Sequence, residues 1–164
     1  QNTEVLFLER CYRYLREGGL LAIVIPDGVL TNSSSQFVRD WLIEHFRILS
    51  IVSLPQHTFS HVKAGVKSSI MFMKKHPKSL TLQLEHTLLQ IKQVVKAKKI
   101  VDKTLCEEYI LKLYKEEIFK YANDYEVLMF DVENVGYDAT GKEIKGSELV
   151  EASKRINKFI SSAK

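Results

Sequence analysis

Hydrophobic side chains recur along residues 4–75 with two different periods, and the change between them predicts helices and strands. Residues 4–16 carry apolar side chains at helical spacing, on a face formed by Leu8, Cys11, Tyr12 and Leu15. Residues 20–25 form an unbroken apolar run, which is typical of a strand buried on both faces of a sheet. The pattern therefore predicts a helix followed by a buried strand.

A second helix and two further strands are predicted in the next part of the chain. Ser33 followed by Gln36 fits a capping box, and it opens a helix whose predicted core face comprises Phe37, Val38, Trp41, Leu42 and His45. Residues 48–54 and 68–73 are predicted as strands, joined by a loop over residues 55–67. This order favours an α/β domain with a mainly parallel sheet, but the short link would also fit an antiparallel pair at the sheet edge.

Beyond Pro77 the pattern becomes helical. Residues 82–101 and 104–121 predict two adjacent helices, which favours a helical hairpin. Their apolar stripes comprise Leu84, Leu88, Ile91 and Val95 in the first helix, and Ile110, Tyr114, Ile118 and Tyr121 in the second. A strand over residues 125–132, a turn-rich loop and an amphipathic terminal helix follow. We expect three parts: a core (1–78), a hairpin insertion (79–122) and a carboxy-terminal part (123–164).

Composition narrows the class of protein. Hydrophobic residues make up 45% and charged residues 27% of the 164 residues, the balance of a soluble globular protein. No apolar run approaches the roughly 20 residues of a membrane helix, and no signal peptide precedes the first helix. We therefore expect a cytoplasmic protein without a membrane partner, and the absence of an initiator Met suggests a chain that begins inside a longer protein. The formal net charge of +4 is compatible with a polyanionic partner.

Several kinds of chemistry find no motif in the sequence. It has no Gly-rich phosphate loop, no dinucleotide-binding fingerprint, no nucleophile elbow and no His/Cys cluster with the spacing of a metal site. Cys11 and Cys106 have no partner spacing, so we expect neither a disulfide nor a metal ligand. From its own residues the chain is not predicted to be a complete enzyme.

Three segments resemble a known family. They are Gly-Gly, an apolar strand and Pro-Asp-Gly-Val-Leu over residues 18–30; residues 51–55 with Phe59 and residues 65–72; and Gly-Tyr-Asp-Ala-Thr-Gly-Lys within residues 135–142. In this order they are similar to the conserved blocks of the adenine-specific (N-6) DNA methylases, a family that includes the modification subunits of type I restriction-modification systems. The resemblance covers about residues 4–75 and 125–160, so the hairpin between them looks like a variable insertion.

The resemblance implies a Rossmann-like fold, with residues 1–78 forming the carboxy-terminal half of a methyltransferase sheet. It also implies methyl transfer from S-adenosylmethionine to the exocyclic amino group of adenine in double-stranded DNA. The family's donor-binding "FxGxG" and catalytic "(N/D)PP(F/Y)" motifs would precede Gln1, and neither occurs here. We therefore assign no catalytic residue to this chain, and we do not expect it to bind the donor or to catalyse transfer alone.

A pocket wall is the part of the site that this chain would supply. Phe59 matches the family's aromatic residue that stacks on the flipped adenine, since a base must leave the duplex before chemistry on it. Phe59 would equally fit a role as a loop anchor. Asp27 and Gly28 follow a strand at the end where open α/β sheets bind ligands, so they are candidate pocket-lining residues. A turn that needs Asp and Gly for its backbone angles would explain them as well.

Lysines mark two candidate contacts with the DNA backbone. Lys63 and Lys67 lie in the loop of Phe59, and Lys92, Lys96 and Lys99 recur along one predicted helical face. Solvated surface positions are the competing interpretation of both groups. As partners we expect double-stranded DNA and the specificity and restriction subunits of such systems. Two other functions stay open: a non-catalytic docking module for those subunits, and a methyltransferase that acts on RNA or protein.

Overall fold

The computed structural model describes residues 3–98, 102–122 and 125–162. Its helices are α1 (Thr3–Tyr14), α2 (Asp27–Thr31), α3 (Gln36–His45), α4 (Lys78–Ala97), α5 (Lys103–Ala122) and α6 (Leu149–Ser162). Its strands are β1 (Leu20–Pro26), β2 (Phe46–Ser53), β3 (Ser68–Lys75) and β4 (Leu128–Asp131). Each predicted helix and strand is present, with ends that differ by a few residues. None of the described helices is both long enough and apolar enough to cross a bilayer.

The sheet is mixed, with the strand order β1-β3-β2-β4. β3 lies between β1 and β2 and is antiparallel to both, whereas β4 is parallel to β2. The expectation of a mainly parallel sheet is therefore wrong. The link between β2 and β3 contains only a 3-10 turn at Ser60–Val62, and it lacks the crossover helix that usually joins parallel neighbours. β3 is also an interior strand and not an edge strand.

Strand β1 lies at one edge of the sheet, and only one of its faces is covered. Ile25 is buried, and Leu21 and Ile23 pack against the same core cluster. On the opposite face Leu20 and Val24 are 55% and 49% exposed. The unbroken apolar run predicted burial on both faces. This prediction is wrong for the face that carries Leu20 and Val24, which is exposed.

Two apolar layers cover the sheet. The first joins α1, α2 and α3 to the strands through Leu8, Val29, Val38, Leu42, Phe46 and Met73. The second lies beneath α6 and includes Val52, Leu54, Val132, Val135, Ala152 and Ile156. Helices on both faces of a sheet are the α/β arrangement that the sequence predicts.

The start of α3 differs from the predicted capping box. Residues Ser33–Ser35 form a 3-10 turn, and no side-chain hydrogen bond caps the helix. The Gln36 side chain instead donates to Asp40 Oδ1 at 2.8 Å, one helical turn further on. Phe37, predicted to face the core, is 62% exposed. After this 3-10 turn, α3 begins at Gln36. Of the predicted core face, Val38 and Leu42 are buried.

Lys75 fastens α1 to the end of β3. Its ammonium donates to the carbonyl oxygens of Tyr12 and Leu15, each at 2.8 Å, and it lies 4.0 Å from the centre of the Tyr12 ring. The last carbonyls of a helix have no partner within the helix. Lys75 satisfies two carbonyls at this end and places a positive charge at the negative end of the helix dipole.

The predicted hairpin is formed by α4 and α5. Leu84, Tyr114 and Ile118 are buried between the helices, with Leu88 and Ile91 packed beside them, as the apolar stripes predict. Residues 99–101 and the side chain of Tyr121 lie outside the described part. Tyr114 donates to Glu44 Oε1 of α3 at 2.6 Å, and Lys115 pairs with Asp40 at 3.4 Å. These contacts attach the hairpin to the core.

We expect Tyr114→Phe to lower the free energy of unfolding at pH 7 by about 1–3 kcal/mol, because Glu44 loses a partner in a half-buried setting. Burial, and then the hydrogen bond to Glu44, raise the pKa of Tyr114 above its ordinary value. In the unfolded chain tyrosine ionises near pH ~10 while the folded chain keeps its proton, so this contribution falls as pH rises above that value.

Chemical denaturation of both proteins from pH 7 to 11 measures the effect. The stability gap between parent and variant should narrow above pH ~10, where unfolded tyrosine ionises. Tyr14→Phe is the matched control, since Tyr14 is 76% exposed, and it should change stability little at any pH. A constant gap across this range would contradict the prediction.

Candidate functional site

Strand direction brings the three family-like segments to one end of the sheet. β1 and β2 run antiparallel to β3, so the loops after β1 and β2 lie beside the start of β3. β4 is parallel to β2, so the loop that follows it reaches the same end. We call this end the rim and define it by Asp27, Gly28, Phe59, His61, Lys63, Lys67 and Tyr137. Open α/β sheets bind ligands beyond the carboxyl ends of their parallel strands.

Asp27 joins the first segment to the second. Ser69 donates to Asp27 Oδ1 at 2.6 Å, and Lys67 Nζ lies 3.7 Å from Asp27 Oδ2. The backbone N–H of Asp27 also donates to the Lys67 carbonyl at 2.9 Å. Both carboxylate oxygens therefore have partners within the chain, and the geometry gives Asp27 a structural role at the rim.

Gly28 lies in α2 and does not have a positive φ. A Cβ at this position would meet Asn32 Nδ2 at 2.9 Å. The backbone angles of a turn therefore do not require glycine here, and a larger residue would displace the end of the Asn32 side chain. Asp27 and Gly28 both lie at the rim, directly after β1.

Phe59 is half-buried and packs against the core layer beneath α6. Its carbonyl accepts hydrogen bonds from Val62 and Ala64 at 3.2 and 3.1 Å, which closes the following turn. Gln56 donates to the Gly65 carbonyl at 2.6 Å and holds the two sides of the loop together. Phe59 thus anchors the loop, and the residue as a whole is only partly buried.

The two loop lysines lie in different surroundings. Lys67 faces Asp27, and its side chain is 45% exposed. Lys63 is exposed and has a left-handed backbone with φ of 62°, at the end of the 3-10 turn. No acidic group within the described residues forms an ion pair with Lys63. Of the two, Lys63 is the one whose charge no described carboxylate offsets.

His61 and Tyr137 join the second segment to the third. Their rings make an edge-to-face contact with centroids 5.1 Å apart. Tyr137 also packs against the core layer that holds Phe59. No pattern in the sequence predicts this contact, because the two residues are far apart in the chain and lie in loops without periodicity.

The loop after Tyr137 is organised by Asp138. Its Oδ1 accepts hydrogen bonds from the Thr140 hydroxyl, the Thr140 N–H and the Lys142 N–H at 2.6, 2.8 and 3.0 Å. The hydrogen bond from the Thr140 hydroxyl, followed by those of the backbone, lowers the pKa of Asp138 below its ordinary value. The charged carboxylate therefore stabilises the turn over residues 138–142. Gly141 of this turn lies beside His61.

The second group of lysines belongs to the hairpin. Lys92 and Lys96 are exposed on α4, one helical turn apart. Neighbouring Lys98 donates to the Tyr109 hydroxyl of α5 at 2.8 Å. Lys99 lies outside the described residues. Helix α4, which carries these lysines, begins at the carboxyl end of β3. This end of the sheet is opposite the rim.

We expect Gly141→Ala to lower the free energy of unfolding by about 1–3 kcal/mol, the typical cost of a strained backbone. Gly141 has a φ of +85°, and a Cβ would meet His61 Cβ at 3.2 Å. Gly65→Ala is the matched control, since its Cβ would have no neighbour within 4 Å; it should be neutral or stabilising by up to about 1 kcal/mol. Urea denaturation compares them, and equal effects would contradict the strain expected at Gly141.

Comparisons with known proteins cover almost the whole of this chain. The family model for N-6 DNA methylase matches residues 1–162. A chain in a solved structure, described as the structural basis of complex assembly and conformational transition of the type I R-M system, shares 20% sequence identity with a TM-score of 0.41. That likeness covers 97% of this chain and 38% of the other, so this chain spans well under half of its neighbour's length. Since the family model matches almost the whole sequence, the chain belongs to the N-6 DNA methylase family.

Proposed function

We propose that this chain is part of an adenine-specific DNA methyltransferase of a restriction-modification system. The parent enzyme would transfer a methyl group from S-adenosylmethionine to the exocyclic amino group of adenine in double-stranded DNA. The observation that carries the proposal is the match of the N-6 DNA methylase model over residues 1–162. The meeting of all three family-like segments at the rim supports it, because a ligand crevice is expected there.

Within that enzyme the rim would form one wall of the pocket for the flipped base. Chemistry on a base in duplex DNA requires the base to leave the stack, and aromatic side chains hold it. Phe59 is our candidate for this contact, since it is a partly buried aromatic residue packed against the core layer at the rim. Asp27 and Gly28 would line the same crevice, with Asp27 keeping the β1 and β3 ends together.

The residues of this chain do not fit a donor site by themselves. The carboxylate nearest the crevice, Asp27, is engaged by Ser69 and Lys67, and the sequence lacks the family's donor-binding and catalytic motifs. We therefore place donor binding and the transfer step in a part of the parent protein outside this chain. The exposed apolar face of β1, with Leu20 and Val24, is a suitable surface for that part to cover.

Contacts to the DNA backbone would come from lysines without acidic partners. Lys63 fits best beside the pocket, whereas Lys67 would first have to leave Asp27. Lys92 and Lys96 would make separate backbone contacts along α4, and Lys99 remains a candidate from the sequence. Such contacts are electrostatic and independent of base sequence.

A second candidate function belongs to the hairpin, which could dock specificity or restriction subunits. The observation that favours it is the exposure of large apolar side chains on both helices, namely Leu82, Leu89, Val94, Leu105 and Leu111. Apolar surface of this kind marks interaction sites when it is contiguous. Docking and catalysis would be compatible in one protein.

Replacing Phe59 in the full-length enzyme separates stacking from packing. Phe59→Leu keeps most of the buried volume but removes the aromatic face. We expect methylation to fall by the equivalent of about 1–3 kcal/mol, the contribution of one stacked base. The affinity for S-adenosylmethionine should stay unchanged, and Phe59→Tyr should retain activity.

Methyl incorporation into duplex DNA and donor titration measure these effects. Full activity of Phe59→Leu would mean that Phe59 only anchors the loop. Loss of donor binding together with activity would instead point to a general disruption of the fold and would contradict the specific role.

Neutralising the unpaired lysines tests the contact with the DNA backbone. Lys63→Asn removes the charge while tolerating the left-handed backbone, and Lys92→Gln/Lys96→Gln does the same on α4. Each lost phosphate contact should reduce the slope of log K against log salt by about 0.9. DNA binding by the full-length protein at several salt concentrations gives the slope.

Lys158→Gln on α6 is the control, because Lys158 is exposed on a different helix, and its salt slope should equal that of the parent. Unchanged slopes in the Lys63 and Lys92/Lys96 variants would make these lysines ordinary solvated surface.

A further inference from the structure

A concave site lies at the end of the sheet opposite the rim. A cavity of about 510 Å³ opens there between the first turn of α4, the end of β3 and the start of β2. Its lining includes Arg47, Lys74, Lys75, His76, Leu80 and Tyr125. The volume falls within the range of about 300–1,000 Å³ that is typical of small-molecule sites. No carboxylate is among the described residues that line it.

Two cations face each other across neighbouring strands in this cavity. Arg47 of β2 and Lys74 of β3 are direct partners in the antiparallel register, so their side chains point to the same face of the sheet. Like charges at directly opposite positions destabilise a sheet. Within the described residues neither side chain forms an ion pair that would offset this repulsion.

The Arg47 side chain is held in place with a donor left over. Its guanidinium lies 4.8 Å from the centre of the Tyr125 ring, and the Tyr125 hydroxyl accepts the Ile48 N–H at 3.4 Å. Arg47 Nε is buried and has no hydrogen-bond partner. Leaving a buried donor unpaired is unfavourable, and more so when the group is charged. The Tyr125 ring thus holds the Arg47 side chain at the wall of the cavity.

The other basic groups contribute charge and desolvation. The Lys75 ammonium is occupied by two carbonyls of α1, so it adds a positive potential but no free direction for a ligand. His76 is half-buried, and its pKa lies below the ordinary value chiefly because of burial, with the nearby charges of His45 and Arg47 adding to the effect. An anion in the cavity would meet a positive field in a partly desolvated setting, where electrostatic attraction is stronger than in water.

We propose that this cavity binds a small anion that carries a phosphate group, with Arg47 and Lys74 as its direct ligands. The guanidinium fork of Arg47 matches phosphate oxygens in planar, paired hydrogen bonds, and Lys74 supplies a second charge from the adjacent strand. The concave shape favours a free phosphate or a small phosphorylated molecule over the phosphate chain of a duplex. The site lies at the far end of β3 from the rim, so it is separate from the proposed adenine pocket.

Isothermal titration calorimetry of the full chain with inorganic phosphate, pyrophosphate and adenosine monophosphate, at constant ionic strength, tests the proposal. We expect saturable binding, and the strongest of the three probes identifies the source of the phosphate. Lys74→Gln and Arg47→Gln should each weaken binding by about tenfold or more, as expected for the loss of a charge-assisted hydrogen bond. Lys158→Gln on α6 should bind like the parent.

Thermal unfolding gives a second readout that holds even where Arg47→Gln folds poorly. Lys74 is exposed, so Lys74→Gln should fold, and it should raise the Tm of the ligand-free chain because it removes the like-charge pair. The same variant should show a smaller rise in Tm on adding phosphate than the parent does.

Two outcomes would overturn the proposal. They are no saturable binding of any of the three probes, and binding that Lys74→Gln and Lys158→Gln weaken equally. Neither of them depends on methyl transfer, so failure here would leave the proposed function untouched.

Discussion

Strand β3 is hydrogen-bonded along both of its edges, and the rest of the chain depends on that pairing. Its first residues bring Ser69 to Asp27 and so close the rim. Its last residues bring Lys75 to the end of α1 and Lys74 beside Arg47. One antiparallel strand between two parallel neighbours thus fixes both ends of the sheet. A shift of one residue in its register would turn every side chain of β3 to the opposite face.

The sequence predicts which segments form helices and strands better than it predicts how they pair. Period and apolar runs depend on local spacing, so β1 and the stripes of the hairpin could be located from them. Pairing depends on contacts between distant residues, and the link between β2 and β3 was compatible with two arrangements. The missing crossover helix is the feature that decides for the antiparallel one. The exposure of Leu20 and Val24 could not be predicted, because a hydrophobic run does not reveal what covers it.

The candidate site was partly predictable for a related reason. The three family-like segments could be recognised in order, and their strands imply that they end on the same side. The contacts that hold them together connect residues far apart in the chain, as in Asp27 with Ser69 and His61 with Tyr137. The difference between Lys63 and Lys67 arises in the same way. Both are loop lysines in the sequence, yet only folding places one of them beside a carboxylate.

The pairing of Lys67 with Asp27 has a consequence for how the rim would meet DNA. Because the ion pair is 45% and 23% exposed at its two side chains, it is largely solvated and contributes little to stability. Its effect is instead on the local charge, since it neutralises one positive and one negative side chain at the rim. A polyanion approaching this end would then be attracted mainly by the positive charges of Lys63 and of more distant lysines. The rim therefore combines an internally neutralised pair, Lys67 with Asp27, and an exposed lysine, Lys63, that has no acidic partner among the described residues.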